Sequence, residues 1–242
     1  MPILFFNLAD LFGAAAQGLT GFGSGTIMVS TLVLLYPFRE VVPVVALVAL
    51  ATNLIMIGLT RREFDWRRGP IAAIALSIGV IGGAQLLVIL PVSILQRLLG
   101  LVILCYVALN LVRTPIPTAM PRFGWPDRLG LSGSALVSGM IVGAVGVSPI
   151  PLLIYTNMRY PKQFSRSILT MTFLLSSAVQ AIIYTHLGLL TTHSAWLAIT
   201  SLPAVVIGLL LGHRLHYRID QKTFSRILAI VLLLPAVRLV IG

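Results

Sequence analysis

Glycines and uncharged hydrogen-bonding side chains cluster in the stretch GLTGFGSGT (residues 18–26), which lies inside an otherwise apolar run. A second stretch, VGVSPIP (145–151), interrupts a later apolar run in the same way. Hydroxyl and amide groups can replace part of the hydration of a small anion without holding it by a full charge. The N–H groups at a helix N-terminus also favour negative charge. These residue types are therefore suited to reversible anion binding, as a carrier requires.

The candidate substrate-binding residues lie at these two breaks and in the runs expected to pack around them. We expect one helix to begin at about Gly25 and another after Pro151, so that both helix N-termini point into a shared space. Asn53, Ser177 and Gln180 add neutral polar groups from other apolar runs. The candidates at the breaks are Gln17, Gly18, Thr20, Gly21, Gly23, Ser24, Gly25, Thr26, Ser148, Pro149 and Pro151.

Few residues in this chain could support proton transfer or metal binding. Asp10 is the one acidic residue inside an apolar run, and a carboxyl at membrane depth is a candidate proton relay, so Asp10 is the coupling candidate. The alternative for Asp10 is a position near the outer headgroups. His213 and His216 are spaced i, i+3, but no Cys or acid completes a metal site, so we expect no metal and no cofactor. No Ser–His–Asp or paired-carboxylate arrangement indicates an enzyme.

The composition places these residues in a membrane. The chain is 58% apolar and 10% charged, with a mean hydropathy of +1.02, which excludes an ordinary soluble domain. The net charge of +11 does not indicate nucleic-acid binding here, because basic residues are expected to crowd the cytoplasmic loops. The first residues carry no Lys or Arg, unlike a cleavable signal peptide. With Cys105 as its one cysteine, the chain has no internal disulfide.

Two of the apolar runs have an unusual length. As single helices the first would measure about 50 Å and the fifth about 45 Å, too long for one membrane span and too short for two. Each carries its Gly- or Pro-rich break near the middle, so each is either a broken crossing helix or a re-entrant hairpin. The eight runs fall at about 3–35, 42–60, 70–90, 95–112, 129–158, 165–185, 195–213 and 224–241.

Loop charge favours the hairpins. Most of the 17 Lys and Arg residues lie in four connectors, at 61–68, 113–128, 159–166 and 214–226. If the first and fifth runs both return to the side they entered from, all four connectors face the cytoplasm, as the positive-inside rule prefers. The predicted fold is therefore an all-α polytopic membrane protein with about eight apolar segments. Its two inverted repeats, 1–112 and 129–242, flank a cytoplasmic connector at 113–128, and both termini are external.

Matching residues in the two halves agree with this repeat. The glycine pairs have the small-xxx-small spacing of close helix packing, so we predict packing rather than binding for them. Gly79, Gly83 and Arg97 recur at a constant spacing as Gly208, Gly212 and Arg226, and Ser24, Tyr36 and Pro37 recur at another constant spacing as Ser148, Tyr160 and Pro161.

The two breaks also resemble a known family. GLTGFGSGTIMVSTLVLL resembles the glycine-rich first motif of the sulfite exporter TauE/SafE family, and AVGVSPIPLLIYTNMRYPKQFSRS resembles its second-half motif. In the second motif Pro151, Tyr155 and Arg166 match the usual Pro, Tyr and Arg, and Tyr155 joins the candidate binding residues on this ground. The resemblance runs from about residue 10 to the C-terminus. The chain departs from the usual glycines and prolines of the family at Ser24, Thr26, Ser30 and Ile150.

The resemblance implies a transporter of sulfite, a sulfonate or a related small anion across the bacterial cytoplasmic membrane, mostly outward. Together with the breaks, it leads us to expect a secondary transporter that works by alternating access. Its partners would be the anion and the lipid bilayer. The sequence is compatible with a monomer and with a homo-oligomer. The alternatives are an intramembrane enzyme, a non-transporting assembly subunit, and an anion importer or channel. An enzyme would need acid, base or metal groups at one depth, whereas a subunit would have dry, closed breaks.

Overall fold

The computed structural model describes residues 3–21, 23–60, 65–111, 117, 120–215, 232–233 and 235–240. Within these residues every regular element is an α-helix. The predicted eighth run (224–241) lies largely outside them. The helices up to residue 215 are α1 (Ile3–Thr20), α2 (Ser24–Leu32), α3 (Phe38–Thr60), α4 (Gly69–Ile89), α5 (Val92–Leu111), α6 (Trp125–Val145), α7 (Ile150–Arg159), α8 (Lys162–His186) and α9 (Thr192–Leu215).

Five helices in the described part are long and apolar enough to cross a membrane, and they belong to α3, α4, α6, α8 and α9. Shorter apolar helices, Leu4–Leu19 and Val92–Ala108, lie in α1 and α5. Large apolar side chains such as Ile89 and Ile199 are well exposed on the outside of the bundle, as expected where helices face lipid. The chain is therefore a multi-pass α-helical membrane protein.

The first long apolar run is divided into two helices. α1 ends at Thr20 and α2 begins at Ser24. Between them Gly21 and Gly23 have φ values of +86° and +100°, a region that L side chains rarely adopt and glycine adopts freely. The N–H of Gly21 donates to the carbonyl of Gln17 at 2.7 Å, which satisfies one of the free carbonyls at the end of α1. The glycines thus end one helix and let the chain turn into the next.

The second long run is divided in the same way. Gly146 follows α6 with a φ of +73°, and its N–H donates to the carbonyl of Val142 at 2.8 Å. α7 begins at Ile150, slightly earlier than expected, with Pro151 in its first turn, where a missing N–H costs nothing. α6 itself begins at Trp125, inside the segment 113–128 that the sequence assigns to a connector.

Helix α1 packs closely against α9 from the other half of the chain. A Cβ added to Gly208 would collide with the carbonyl of Leu11, and one added to Gly212 with the carbonyl of Ala15. The contacts advance together along both helices, so α1 and α9 run in the same direction. Their backbones approach this closely because glycine occupies the interface.

Helices α4 and α6 make the corresponding pair. A Cβ on Gly79 would collide with the carbonyl of Leu136, and one on Gly83 with that of Met140, so these two helices also run in the same direction. The glycine pairs therefore pack helices, as their spacing predicts. α3 and α4 both contact α8, and α3 also contacts α9.

Candidate functional site

The two breaks are bonded to each other. The N–H of Gly23 donates to the Oγ of Ser148 at 3.1 Å, and the N–H of Ser148 donates to the Oγ1 of Thr26 at 3.1 Å. A Cβ added to Gly25 would lie 2.8 Å from the carbonyl oxygen of Gly146, so a side chain larger than hydrogen would separate the breaks. Segments that are far apart in sequence thus form one junction.

A cavity of about 50 Å³ opens beside this junction. By the same measure one water needs roughly 10–15 Å³, so the cavity has room for a few waters or a small ion. The wall also includes Ala49, Val142, Gly146, Val147, Phe173 and Ser176. The predicted binding residues that line it are Gln17, Gly23, Ser24, Gly25, Asn53, Ser148, Pro149, Ser177 and Gln180.

A chain of hydrogen bonds joins the polar residues of the cavity. The Oγ of Ser24 donates to the Oε1 of Gln17, whose Nε2 donates to the Oδ1 of Asn53 at 2.7 Å. The Nδ2 of Asn53 donates to the Oγ of Ser177 and to the carbonyl of Phe173, both at 3.2 Å. All four polar side chains are buried and neutral. The network joins α1, α2, α3 and α8 without a formal charge, and each amide is held in one orientation.

Gln180 connects the cavity to α6. Its Nε2 donates to the carbonyl of Val142 at 3.0 Å and to the hydroxyl of Tyr184 at 2.9 Å. The hydroxyl of Tyr184 in turn donates to the carbonyl of Gly143 at 2.7 Å. These bonds satisfy backbone carbonyls near the end of α6, close to the second break. Gln180 therefore both lines the cavity and holds the end of α6.

Several predicted residues at the first break have other neighbours. Gly18 faces α9, where a Cβ would collide with the carbonyl of Leu209. Gly21 lies beneath the side chain of Arg166. The side chain of Thr26 is buried and accepts the bond from Ser148 described above. The side chain of Thr20 lies outside the described part of the structure.

Pro151 and Tyr155 lie away from the cavity, in a separate groove beside α6 and α7. The hydroxyl of Tyr155 donates to the Oδ1 of Asp127 at 3.1 Å. Tyr155 therefore contacts a buried carboxylate instead of the cavity.

Asp127 is the centre of a network of charged and phenolic groups that sequence reasoning did not single out. The hydroxyl of Tyr160 lies 2.9 Å from both of its carboxylate oxygens, and the Nε atoms of Arg68 and Arg159 lie 3.7 Å and 3.6 Å away. Burial, then the hydrogen bond to Asp127 and its negative charge, raise the pKa of Tyr160 well above its usual value, so its phenol donates. An acid flanked by Arg122 and Arg128 in a basic connector was the available signal.

Asp10 lies outside the cavity as well. Its side chain is completely buried on α1 and faces Ser201 of α9. Within the described residues, no group of three or more His, Cys, Asp or Glu side chains is placed to hold a metal ion. His216 is not among those residues.

The apolar wall residues Ala49, Val142, Val147 and Phe173 were not predicted, because in an apolar sequence nothing distinguishes them from other core positions. Ser176, beside the predicted Ser177, also lines the cavity. In comparisons with known proteins, the model of the family described as Sulfite exporter TauE/SafE matches residues 7–239. No curated protein and no solved structure matches the chain.

Proposed function

The chain belongs to the sulfite exporter TauE/SafE family and is accordingly a membrane transporter, and we propose that it exports a small anion from the bacterial cytoplasm. Sulfite, an organosulfonate or a related oxyanion or carboxylate is the substrate class. The observation that carries this proposal is the cavity at the junction of the two breaks, which is lined by buried, uncharged polar side chains. A closed junction without a polar lining would have favoured a subunit without transport activity.

The chemistry of the cavity suits an anion that must be released again. α2 begins at Ser24 and α7 at Ile150, so both helices start beside the cavity and direct positive dipole ends toward it, although the first N–H groups of α7 are already bonded within the protein. The amides of Gln17 and Asn53 and nearby hydroxyls can exchange their mutual hydrogen bonds for bonds to an oxyanion. Because none of these groups is charged, binding stays weak enough for release.

We further propose that transport proceeds by alternating access between two inverted repeats, 1–112 and 129–242, joined by the connector 113–128. α1 packs against α2 and α6 against α7, which supports a hairpin at each break. The long arm of each hairpin packs on a helix of the other half, α1 on α9 and α6 on α4. A rocking motion of these pairs would expose the central cavity to one side and then to the other.

The proposed orientation has the four basic connectors in the cytoplasm and both termini outside, in the inner membrane. In this orientation α9 runs inward from the external side, and α1 enters from outside, so the two are parallel. α4 and α6 both start from the cytoplasmic side. The directions of the packed pairs support this arrangement.

Asp10 is the proposed coupling residue. It is buried between an arm of the first proposed hairpin and α9, two elements that alternating access would move against each other. A carboxyl that gained and lost a proton at this interface would favour one packing arrangement over the other. Because Asp10 does not line the cavity, coupling would act through helix packing. An importer, a channel or an intramembrane enzyme is the competing interpretation, and a homo-oligomer stays open.

Flux measurements in proteoliposomes test the proposal. We expect the wild-type protein to move sulfite, or another member of a panel of sulfur oxyanions and small carboxylates, faster than protein-free liposomes do. Asn53→Asp should abolish that flux, because a carboxylate in the cavity repels the anion. Thr52→Val is the matched control, since Thr52 is buried next to Asn53 but, within the described part of the chain, its hydroxyl bonds to the carbonyl of Val48 in its own helix. Absence of flux for every anion in the panel would overturn the proposed function.

A further inference from the structure

Arg166 brings a positive charge to the first break. It lies in the first turns of α8, and its side chain covers Gly21, where an added Cβ would be 3.4 Å from the Nε and 3.5 Å from the Cγ of Arg166. The Nε and one terminal nitrogen, Nη2, are buried, although the residue as a whole is partly exposed. The guanidinium therefore extends from the end of α8 into the bundle and toward the break.

Arg166 shares a helix face with residues of the cavity wall. With 3.6 residues per turn, positions 166, 173 and 177 project from the same side of α8. Phe173 and Ser177 line the cavity. Phe173 is about 10 Å farther along the helix than Arg166, at 1.5 Å per residue. Arg166 thus lies at the start of the face of α8 that lines the cavity farther along the helix.

The other break is covered by an apolar residue in the corresponding position. Val42 follows Pro37 at the same distance at which Arg166 follows Pro161. A Cβ added to Gly146, in the second break, would lie 3.0 Å from the Cγ1 of Val42, which is completely buried. Each break is therefore covered by an equivalent position on a helix from the other half of the chain, but only one of the two positions carries a charge.

We propose that Arg166 captures the anion on the cytoplasmic side of the first break, before it reaches the cavity. This inference rests on the proposed function and on the orientation argued from loop charge. A guanidinium can donate two parallel hydrogen bonds to the oxygens of an oxyanion, which makes it an effective initial binding group. The uncharged cavity then binds the anion more weakly, and the second break is covered by the apolar side chain of Val42 instead of a charged one. Capture on one side and release on the other suit an exporter.

The test uses sulfite with inverted membrane vesicles, in which the cytoplasmic face is outside. We expect Arg166→Gln to raise the sulfite concentration that gives half-maximal uptake by roughly tenfold or more, because the variant loses a hydrogen bond between charged groups. The maximal rate should change little. Arg166→Lys keeps the charge and should restore part of the affinity. The loss of affinity should shrink at high ionic strength, where screening already weakens the wild-type interaction.

Arg39→Gln is the matched control. The Nη2 of Arg39 donates to the carbonyls of Val88 and Leu90 at 3.0 Å, at the opposite end of the molecule in the proposed orientation. This variant loses the same charge but should leave the half-maximal concentration at the cytoplasmic face unchanged. In right-side-out vesicles, Arg166→Gln should have a much smaller effect than in inverted ones. An equal effect on both faces, or none on the cytoplasmic face, overturns the assignment.

Direct binding separates this inference from the proposed function. The Kd of sulfite for the purified wild-type and Arg166→Gln proteins can be measured by calorimetry without any flux. A higher Kd for the variant supports capture by Arg166. An unchanged Kd overturns the role of Arg166, whether or not transport is observed. Flux by the wild type with equal Kd values would leave the proposed function standing and remove only the role of Arg166.

Discussion

The N–H of Gly23 donates to the Oγ of Ser148 across a separation of 125 residues, at 3.1 Å. The N–H of Ser148 in turn donates to Thr26, so the hydroxyl-bearing residues of the two breaks satisfy each other's backbone. Backbone groups freed by a helix break inside a membrane protein must find partners within the protein or in a water-filled cavity. Here each break supplies part of what the other lacks, and the Oγ of Ser138 on α6 accepts from the N–H of Leu152 at the start of α7.

Ser148→Ala should reduce transport while leaving membrane insertion intact. The substitution removes the acceptor of the Gly23 N–H at the edge of the cavity. Losing one such bond costs about 1 kcal/mol. This lowers the fraction of protein in the transport-competent arrangement roughly fivefold. The measurement is sulfite flux at equal amounts of reconstituted protein. Ser132→Ala is the control, because Ser132 is partly exposed on α6 and, among the described residues, its hydroxyl bonds within its own helix. Full flux in the Ser148 variant would contradict the role of the junction.

Asp10→Asn should remove the response of transport to an imposed proton gradient but preserve sulfite binding, since Asp10 does not line the cavity. The amide keeps the shape of the side chain and cannot exchange a proton. Flux with and without a pH gradient, together with the Kd of sulfite, checks this. Glu40→Gln removes an exposed carboxylate on α3 and should respond like the wild type. A gradient response that survives in the Asp10 variant would exclude Asp10 as the coupling residue.

Gly83→Ala should destabilise the protein by about 1–3 kcal/mol, the usual cost of overpacking. The added methyl collides with the carbonyl of Met140 and forces α4 and α6 apart. Gly82→Ala is the matched control, because nothing lies within 4 Å of its Cβ position. In a helix interior that change should be neutral or mildly stabilising. Thermal unfolding of both variants in detergent distinguishes them, and equal midpoints would contradict the close packing of α4 and α6.

A topology reporter tests the hairpin at the second break. If α6 and α7 enter and leave on the same side, a reporter fused after Asn157 should be cytoplasmic, as should one fused in the connector 113–128. A reporter inserted at residues 187–191, the connector between α8 and α9, provides the external control. A periplasmic signal after Asn157 would show that the second long run crosses the membrane, and the inverted-repeat proposal would then fail.

Composition and local backbone chemistry were sufficient to predict an all-helical membrane protein and to locate both interruptions. Whether an apolar run can span the membrane depends only on its length in the sequence and on the thickness of the bilayer. Glycines at positive φ and a proline in the first turn of a helix mark chain breaks without reference to any distant residue. The motifs at these breaks also carried the resemblance to the family.

The neighbours of each residue at the breaks were decided by the tertiary structure. Gly18 and Ser24 belong to the same motif, yet Gly18 packs against α9 and Ser24 lines the cavity. Tyr155 contacts Asp127, and Arg166 covers Gly21. A helix presents a different side chain every 100° or so, and its rotation and depth are set by packing against helices from the other half of the chain. The sequence therefore determined where the helices break, and only the packing of the helices determined which side chains meet there.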